Sequence, residues 1–420
     1  MLSLLLLACQ SAPTYYADVK PILDGRCVSC HVDGGIAPFA LDRYDAAAAS
    51  APLLPGSVST RKMPPFPAGR GEGEVPFAHD PSLTDDQIAA IVDWAEAGAP
   101  EGDPEREGDP IPKVGGTLSR SDVTLSMPEP YEPTTAPDDY RCFILDWDGT
   151  DPTWVTGFRV TPGNTRIVHH VAAYLIPPDT LMGEDVFTTL QSWDDAEPGP
   201  GYTCFGGPSG PEDLQIPVSQ LAQWVPGSQG TDFPADTGIL VKPGSKVVLQ
   251  VHYHTLPGET DQTTFEVRTD PTVAHPAAFG PWLDALWPLG NMNIPAGERV
   301  TLTAEGDPRG LYKLVLGDDG PDLTNGFLIH SALLHQHTTG ESARVTLLKA
   351  SGDEIVLVDV PEYDFNWQLT YAFEAPVRFE NGDALKLDCT YDNTAGATDL
   401  NWGEGTGDEM CVANLYVSQP

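Results

Sequence analysis

Lys246-Val247-Val248-Leu249-Gln250-Val251 is a short run of β-branched and aliphatic residues, and three other stretches share its character. They are Trp154–Val160, Arg344–Leu348 and Ala384–Leu387, each bounded by Pro, Gly, Asn or Asp. Short apolar runs punctuated in this way predict antiparallel strands in β-sandwiches. The pattern extends from about residue 117 to the end, and some 300 residues are too many for one small sandwich, so two are expected. Their boundary is placed near Phe279–Pro288, giving domains over 117–283 and 284–420.

Upstream the periodicity is helical. Tyr16, Val19, Ile22 and Leu23 recur at helical spacing, and Thr84-Asp85-Asp86-Gln87 has the form of a capping box. Ile88, Ile91, Val92 and Ala95 follow on one face, with Gly98 as the stop. Residues 14–100 are therefore expected to form a small all-α domain. Residues 101–116, rich in Pro, Gly and acidic side chains, read as a linker unable to bury enough apolar surface to fold alone. The expected fold class is multi-domain: a small all-α domain followed by two antiparallel, jelly-roll-like all-β sandwiches.

With 420 residues and 40% hydrophobic content, large cores are available. Glycine and proline number 41 each, which favours turns and short strands over long helices. A net charge of -39 excludes nucleic acid and disfavours anionic lipid headgroups as partners.

The hydrophobic run from Met1 ends in Leu6-Leu7-Ala8-Cys9, the form of a lipoprotein cleavage box, so residues 1–13 read as signal and tether with Cys9 lipidated. The expected location is the periplasm or outer membrane as a lipoprotein, with secretion as the alternative. Seven cysteines are present. Cys27-Val28-Ser29-Cys30-His31 fits C-x-x-C-H, in which two thiols attach a haem c covalently and the histidine ligates its iron. The α domain is thus expected to be a class I cytochrome c. Met63, on a proline-stiffened loop, is the favoured sixth ligand, with His79 the rival. Setting aside Cys9, Cys27 and Cys30 leaves Cys142, Cys204, Cys389 and Cys411, an even number that suggests two disulfides in an exported chain. Four cysteines allow three pairings.

The strand-rich region holds His169-His170, His252 with His254, and His335 with His337. Residues i and i+2 of a strand share a face, so each of the latter two pairs could clip one metal ion. Imidazole suits copper or zinc, and a thioether such as Met410, oddly flanked by polar residues, selects copper. Adjacent His169 and His170 need a bulge or an irregular strand end to reach one metal.

Ile167-Val168-His169-His170-Val171, Val248-Leu249-Gln250-Val251-His252-Tyr253, Leu334-His335-Gln336-His337 and Asp408-Glu409-Met410-Cys411 occur in this order. The set resembles the type II copper, ascorbate-dependent monooxygenases, which include peptidylglycine α-hydroxylating and dopamine β-type enzymes. The likeness implies two sandwiches, each with one copper, facing each other across a solvent-filled cleft. It implies an electron-storing copper on His169, His170 and His252, and an O2- and substrate-binding copper on His335, His337 and Met410. It further implies the disulfides Cys142–Cys204 and Cys389–Cys411. No catalytic residue is expected beyond the metal ligands, and His254, His275 and His330 receive no role.

Peptide-amidating members carry an arginine where this chain has Leu333, so recognition of a peptide carboxylate is not expected. Whether Tyr416 faces substrate is left open by a segment two residues longer than the family pattern. The reaction implied is hydroxylation of a C–H bond of a small organic substrate by O2. It uses two one-electron reductions from an external donor, ascorbate-like or a redox protein; the fusion itself suggests that the haem replaces or relays that donor. Two alternatives stand beside it: a non-catalytic envelope protein that transfers electrons or binds and senses copper, and a hydrolytic zinc site.

Overall fold

The structure is a computed structural model that describes residues 12–35, 37–69, 71, 74–178, 186–204, 207–210, 219–403, 405 and 407–420. Cys9 lies outside them. The chain divides into two compact units. One consists of the described residues up to Phe66 together with Asp80–Val114; the other is Pro67–His79 with Gly115–Pro420. Among the described residues no helix is long and apolar enough to cross a membrane.

The first unit is helical, with short helices at Lys20–Arg26, Tyr44–Ser50 and Leu54–Ser59 and a longer one at Asp85–Glu96. The capping box is present: Thr84 Oγ1 accepts from the Gln87 N–H, and the Thr84 N–H donates to Gln87 Oε1. Tyr15, Val19, Ile22, Leu23, Ile91 and Trp94 form the heart of its core. Tyr15 takes the innermost place expected of Tyr16. Residues 15–19 wind as a π-helix, the Val19 N–H reaching Thr14 O, and the wider turn shifts the buried face by one position.

The acidic stretch expected to be an unstructured linker is bonded to these helices. Tyr15 and Tyr16 N–H donate to Pro100 O and Glu101 O, Lys20 pairs with Glu107 at 2.7 Å, and Arg26 donates to Pro112 O at 2.6 Å. Ile111 packs against the helical core. The segment has no core of its own and uses the surface of the helices instead.

The second unit contains three sheets. A five-stranded antiparallel sheet runs in the order 202–203, 138–146, 246–254, 168–176, 219–224. It packs through Phe143, Val171, Leu249 and Val251 on Val155, Phe158, Val160 and Phe265 of a nine-stranded sheet. That larger sheet continues from the first sandwich into the second. His275–Trp282 pairs in parallel with Thr237–Val241 on one side and antiparallel with Val412–Ser418 on the other. Phe327–His335 and Thr370–Phe379 complete it. A four-stranded sheet, ordered 299–306, 384–392, 340–348, 354–360, buries the alternating residues Val345, Leu347, Leu385 and Leu387. The all-β architecture of paired antiparallel sheets is as the periodicity predicts.

Pro67–His79 runs along two of these sheets at their open edges. Gly69 and Val75 N–H donate to Asp359 O and Val356 O of one edge strand; Ala78 N–H donates to Ala372 O of the other, whose Glu374 N–H donates to Pro76 O. Unpaired edge groups are thereby covered. Disulfides join Cys142 to Cys204 and Cys389 to Cys411, the pairing the resemblance implies.

Candidate metal centres

The first histidine cluster sits where Val168–Ile176 lies beside Lys246–His254, with His170 directly opposite His252. The ladder shifts register between Val168 and His170, which is the irregularity that two adjacent histidines need to turn toward one point. His170 Nδ1 lies 3.3 Å from His169 Nδ1 and 3.3 Å from His252 Nδ1. The ligand atoms of the three residues all fall within 4.8 Å of one another.

Neighbours fix the His252 ring. Its Nε2 donates to Asp138 Oδ1 at 3.2 Å, and Tyr140 stacks on it at 4.1 Å with the planes 6° apart. With the proton held at Nε2, the Nδ1 lone pair points into the cluster. Burial pushes the His170 imidazolium well down, with His252, His169 and His335 adding to the effect. Burial, with His169, lowers His252 to about 4 against the opposing pull of Asp138. His169 is lowered by burial, again opposed by Asp138. The rings are neutral at pH 7, the state a metal ligand requires.

The second cluster uses the other ring nitrogens. His335 ends the strand Phe327–His335, and alternation carries beyond the strand's end. Gln336 turns into the core, donating to Thr390 O, while the His335 and His337 rings lie 5.0 Å apart at 82°. His335 Nδ1 bonds Gln368 Oε1 at 2.6 Å and His337 Nδ1 bonds Asp408 O at 3.1 Å, leaving both Nε2 atoms as acceptors. Burial, with His337, lowers His335 to about 4.

Glu409, fully buried, holds this cluster together. Its carboxylate accepts from the His337 N–H at 2.8 Å, the Thr339 N–H at 2.8 Å and Thr339 Oγ1 at 2.7 Å. Met410 follows it in the chain, buried, its carbonyl accepting from Tyr391 OH at 2.7 Å and its neighbour Cys411 locked by the disulfide. Three imidazoles at one cluster, and at the other two imidazoles bonded to the segment that carries the thioether of Met410, make a donor set that fits copper better than zinc.

Beside His169 and His170 lies a gap of about 10 Å³, room for roughly one water molecule. His169, His170 and Gln223 line one side, and Phe365, Asn366 and Gln368 the other. The resemblance implies an open, solvent-filled cleft between the two centres; Phe365, Asn366 and Gln368 line the gap beside the first of them. Gln368 both bonds His335 and lines the gap beside His169 and His170.

Other residues singled out in the sequence lie away from this gap. His254 is exposed, and His330 bonds Ser418 Oγ at 2.9 Å. Tyr416 is buried against Phe233 and Phe279 with its hydroxyl on Thr237 Oγ1, so it faces core and not the gap. Leu333 is buried in the sheet opposite Asn414. Asp138, Gln368 and Glu409 are site residues that the sequence reading did not single out. Glu409 could have been found, as an acid inside a polar motif beside a candidate ligand, whereas nothing local marks Asp138 or Gln368.

In the helical unit, Cys27 and Cys30 are free thiols on the turn after Lys20–Arg26, where the Cys30 and His31 N–H groups both donate to Cys27 O. Burial, with Cys30, pushes the Cys27 thiol up to about 12. His31 Nδ1 donates to Phe39 O at 3.0 Å, which leaves Nε2 as the ligating atom. Two thiols one turn apart beside an oriented imidazole fit covalent haem attachment. Met63 belongs to the same compact unit, while His79 belongs to the β unit.

The chain is 24% identical over 222 residues to DBH-like monooxygenase protein 1 of Gallus gallus, covering 51% of this chain and 35% of the relative. It is 23% identical over 324 residues to tyramine beta-hydroxylase of Caenorhabditis briggsae, covering 73% and 50%. Human dopamine beta-hydroxylase is 25% identical over 273 residues, covering 61% and 39%. The chain spans from about a third to a half of the length of these relatives. Residues 320–418 match the family model described as copper type II ascorbate-dependent monooxygenase, C-terminal domain.

Proposed function

We propose that this protein is an exported copper-dependent monooxygenase with a fused haem c unit, hydroxylating a C–H bond of a small organic substrate. The overall change is R–H + O2 + 2e⁻ + 2H⁺ → R–OH + H2O. The observation that carries the reading is the convergence of three neutral imidazoles, His169, His170 and His252, with Gln368, which bonds the oriented His335, lining the gap beside two of them. Copper held at these positions supplies one-electron transfer and dioxygen activation.

The chain's own residues set the geometry. Asp138 keeps the His252 proton on Nε2, and Gln368 and Asp408 O keep those of His335 and His337 on Nδ1. Glu409 fixes the backbone between the second histidine pair and Met410. Phe365 and Gln368 line the gap beside His169 and His170. Cys27, Cys30 and His31 would hold the haem, with Met63 as the sixth ligand, and haem c bound there would supply one-electron transfer.

A peptide carboxylate is a poor substrate group here, because the buried Leu333 offers no guanidinium to grip it. The gap of about 10 Å³ favours a second reading, a copper-binding or electron-transfer protein that takes no organic substrate. Metal analysis with electron paramagnetic resonance on the purified protein tests the first reading, which expects two type II coppers and one haem. Reductant-dependent O2 uptake by the copper-loaded protein separates the two readings: its absence with a panel of small C–H substrates overturns the enzyme.

A further inference from the structure

The strands that carry the first histidine cluster lead, at their other ends, to a second and much larger space. Val168–Ile176 runs from His169 and His170 to Leu175, and Lys246–His254 runs antiparallel from beside Ser245 to His252. At strand rise, five to seven residues put the far ends about 20 Å from the imidazoles. There a cavity of about 440 Å³ opens between the first sandwich and the segment Val315–Pro321. Its volume lies within the range of small-molecule sites.

Its walls are mainly apolar, with Trp154, Leu175, Ile239 and Leu316 among them. Two serines stand among its polar side chains. Ser219 Oγ and Ser245 Oγ are both buried, and neither has a partner among the described residues; Ser245 as a residue is only 2% exposed. Buried hydroxyls without partners are uncommon and mark places where a ligand group or water completes the bonding. The charges at the mouth are matched: Lys242 pairs with Asp319 at 2.6 Å and Asp318 with Lys313 at 2.6 Å. Among the described residues the cavity therefore offers no uncompensated charge to an ion.

We infer that this cavity is a ligand site separate from the metal centres. It takes a small neutral molecule with an apolar body and one or two hydrogen-bonding groups, such as an alcohol, phenol or ketone, that meet Ser219 and Ser245. The apolar walls hold the body by excluding water, and the paired rim charges turn away carboxylates, whose burial without a partner is unfavourable. Because the walls come from both the first sandwich and Val315–Pro321, occupancy links the two parts of the β unit at the end remote from the histidines.

The test uses the full-length, copper-loaded protein and 2-naphthol, read by the probe's own fluorescence, with 2-naphthoate as its charged twin. One saturable site is expected for 2-naphthol, with 2-naphthoate bound at least about tenfold more weakly. Ser219→Ala and Ser245→Ala should each weaken the affinity about fivefold, the size expected for one hydrogen bond. Ala278→Phe, which fills the cavity from its floor, should abolish binding while copper content stays unchanged. A cavity that holds only water gives no saturable binding and overturns the inference. So does binding that survives Ala278→Phe in a folded protein, since it lies elsewhere. If that variant does not fold, the Ser219→Ala/Ser245→Ala double variant decides, and an unchanged affinity overturns the site.

Discussion

The carboxylate of Glu409 accepts the backbone N–H of His337 at 2.8 Å, across 72 residues of chain, and so joins the histidine pair to the segment that carries Met410. Both ends of the second cluster depend on this one fully buried side chain. Glu409→Ala leaves the His337 and Thr339 N–H groups buried without acceptors, at a cost of about 1–3 kcal/mol for each. The variant should melt lower and lose the copper of the second cluster, with the first retained. Glu409→Gln keeps one acceptor oxygen and should fall between. Metal content after dialysis and a thermal melt check both, and two coppers retained by Glu409→Ala would refute the role.

Asp138 does for the first cluster what Gln368 does for the second. Asp138→Ala frees His252 Nε2 and lets the proton move to Nδ1, where it blocks the metal. Groups that orient a ligand in this way are worth about 10–100-fold in metal affinity. Copper titration of the variant should show that loss at the first cluster only.

Met410→Ala and His252→Ala should part the two centres. The first removes the soft ligand and with it substrate oxidation, leaving the three-histidine copper bound. The second depletes that copper and spares the other. Equal loss of both coppers from either variant, measured by metal analysis, would show that the partition is wrong.

Stability of the metal-free protein should fall in mild acid. His252 and His335 are each lowered to about 4 by burial, against about 6.5 in the unfolded chain. Between these values the unfolded state binds more protons, so stability rises with pH across the window and is flat above it. His330, also lowered to about 4 by burial, adds to the slope. Denaturant unfolding of the chelator-treated protein at pH 4.5 and 7 should show the loss; equal midpoints would mean that these rings are protonated in the folded state.

Covalent haem should disappear or weaken in Cys27→Ala and Cys30→Ala, read as haem stain on the denatured protein. Met63→Ala should lower the haem midpoint potential, since thioether ligation raises it. An unchanged potential there, with a shifted one in His79→Ala, would move the sixth ligand to His79.

Much of the architecture was legible because it depends on local periodicity. The runs around Val155, Val248, Val345 and Leu385 are strands because β-branched and aliphatic residues suit a pleated, half-buried surface. The pair His169-His170 also announced the register break beside it, since two neighbours on a regular strand cannot face one point. At residues 15–19 the same logic missed by one position, because a π-turn is not encoded in a 3.6-residue repeat.

The sequence by itself determined which segments would be strands or helices and which residue types could bind metal, because side-chain alternation and imidazole chemistry are properties of a few adjacent residues. Only the tertiary structure decided that Asp138 would meet His252 from 114 residues away, that Gln368 would meet His335 from 33, and that Tyr416 would face core. It likewise decided that Pro67–His79 would cover two sheet edges and that Phe365, Asn366 and Gln368 would line the gap beside His169 and His170. Those outcomes follow from strand register and the placement of loops, and each is fixed by many weak contacts between residues far apart in the chain, which no local pattern records.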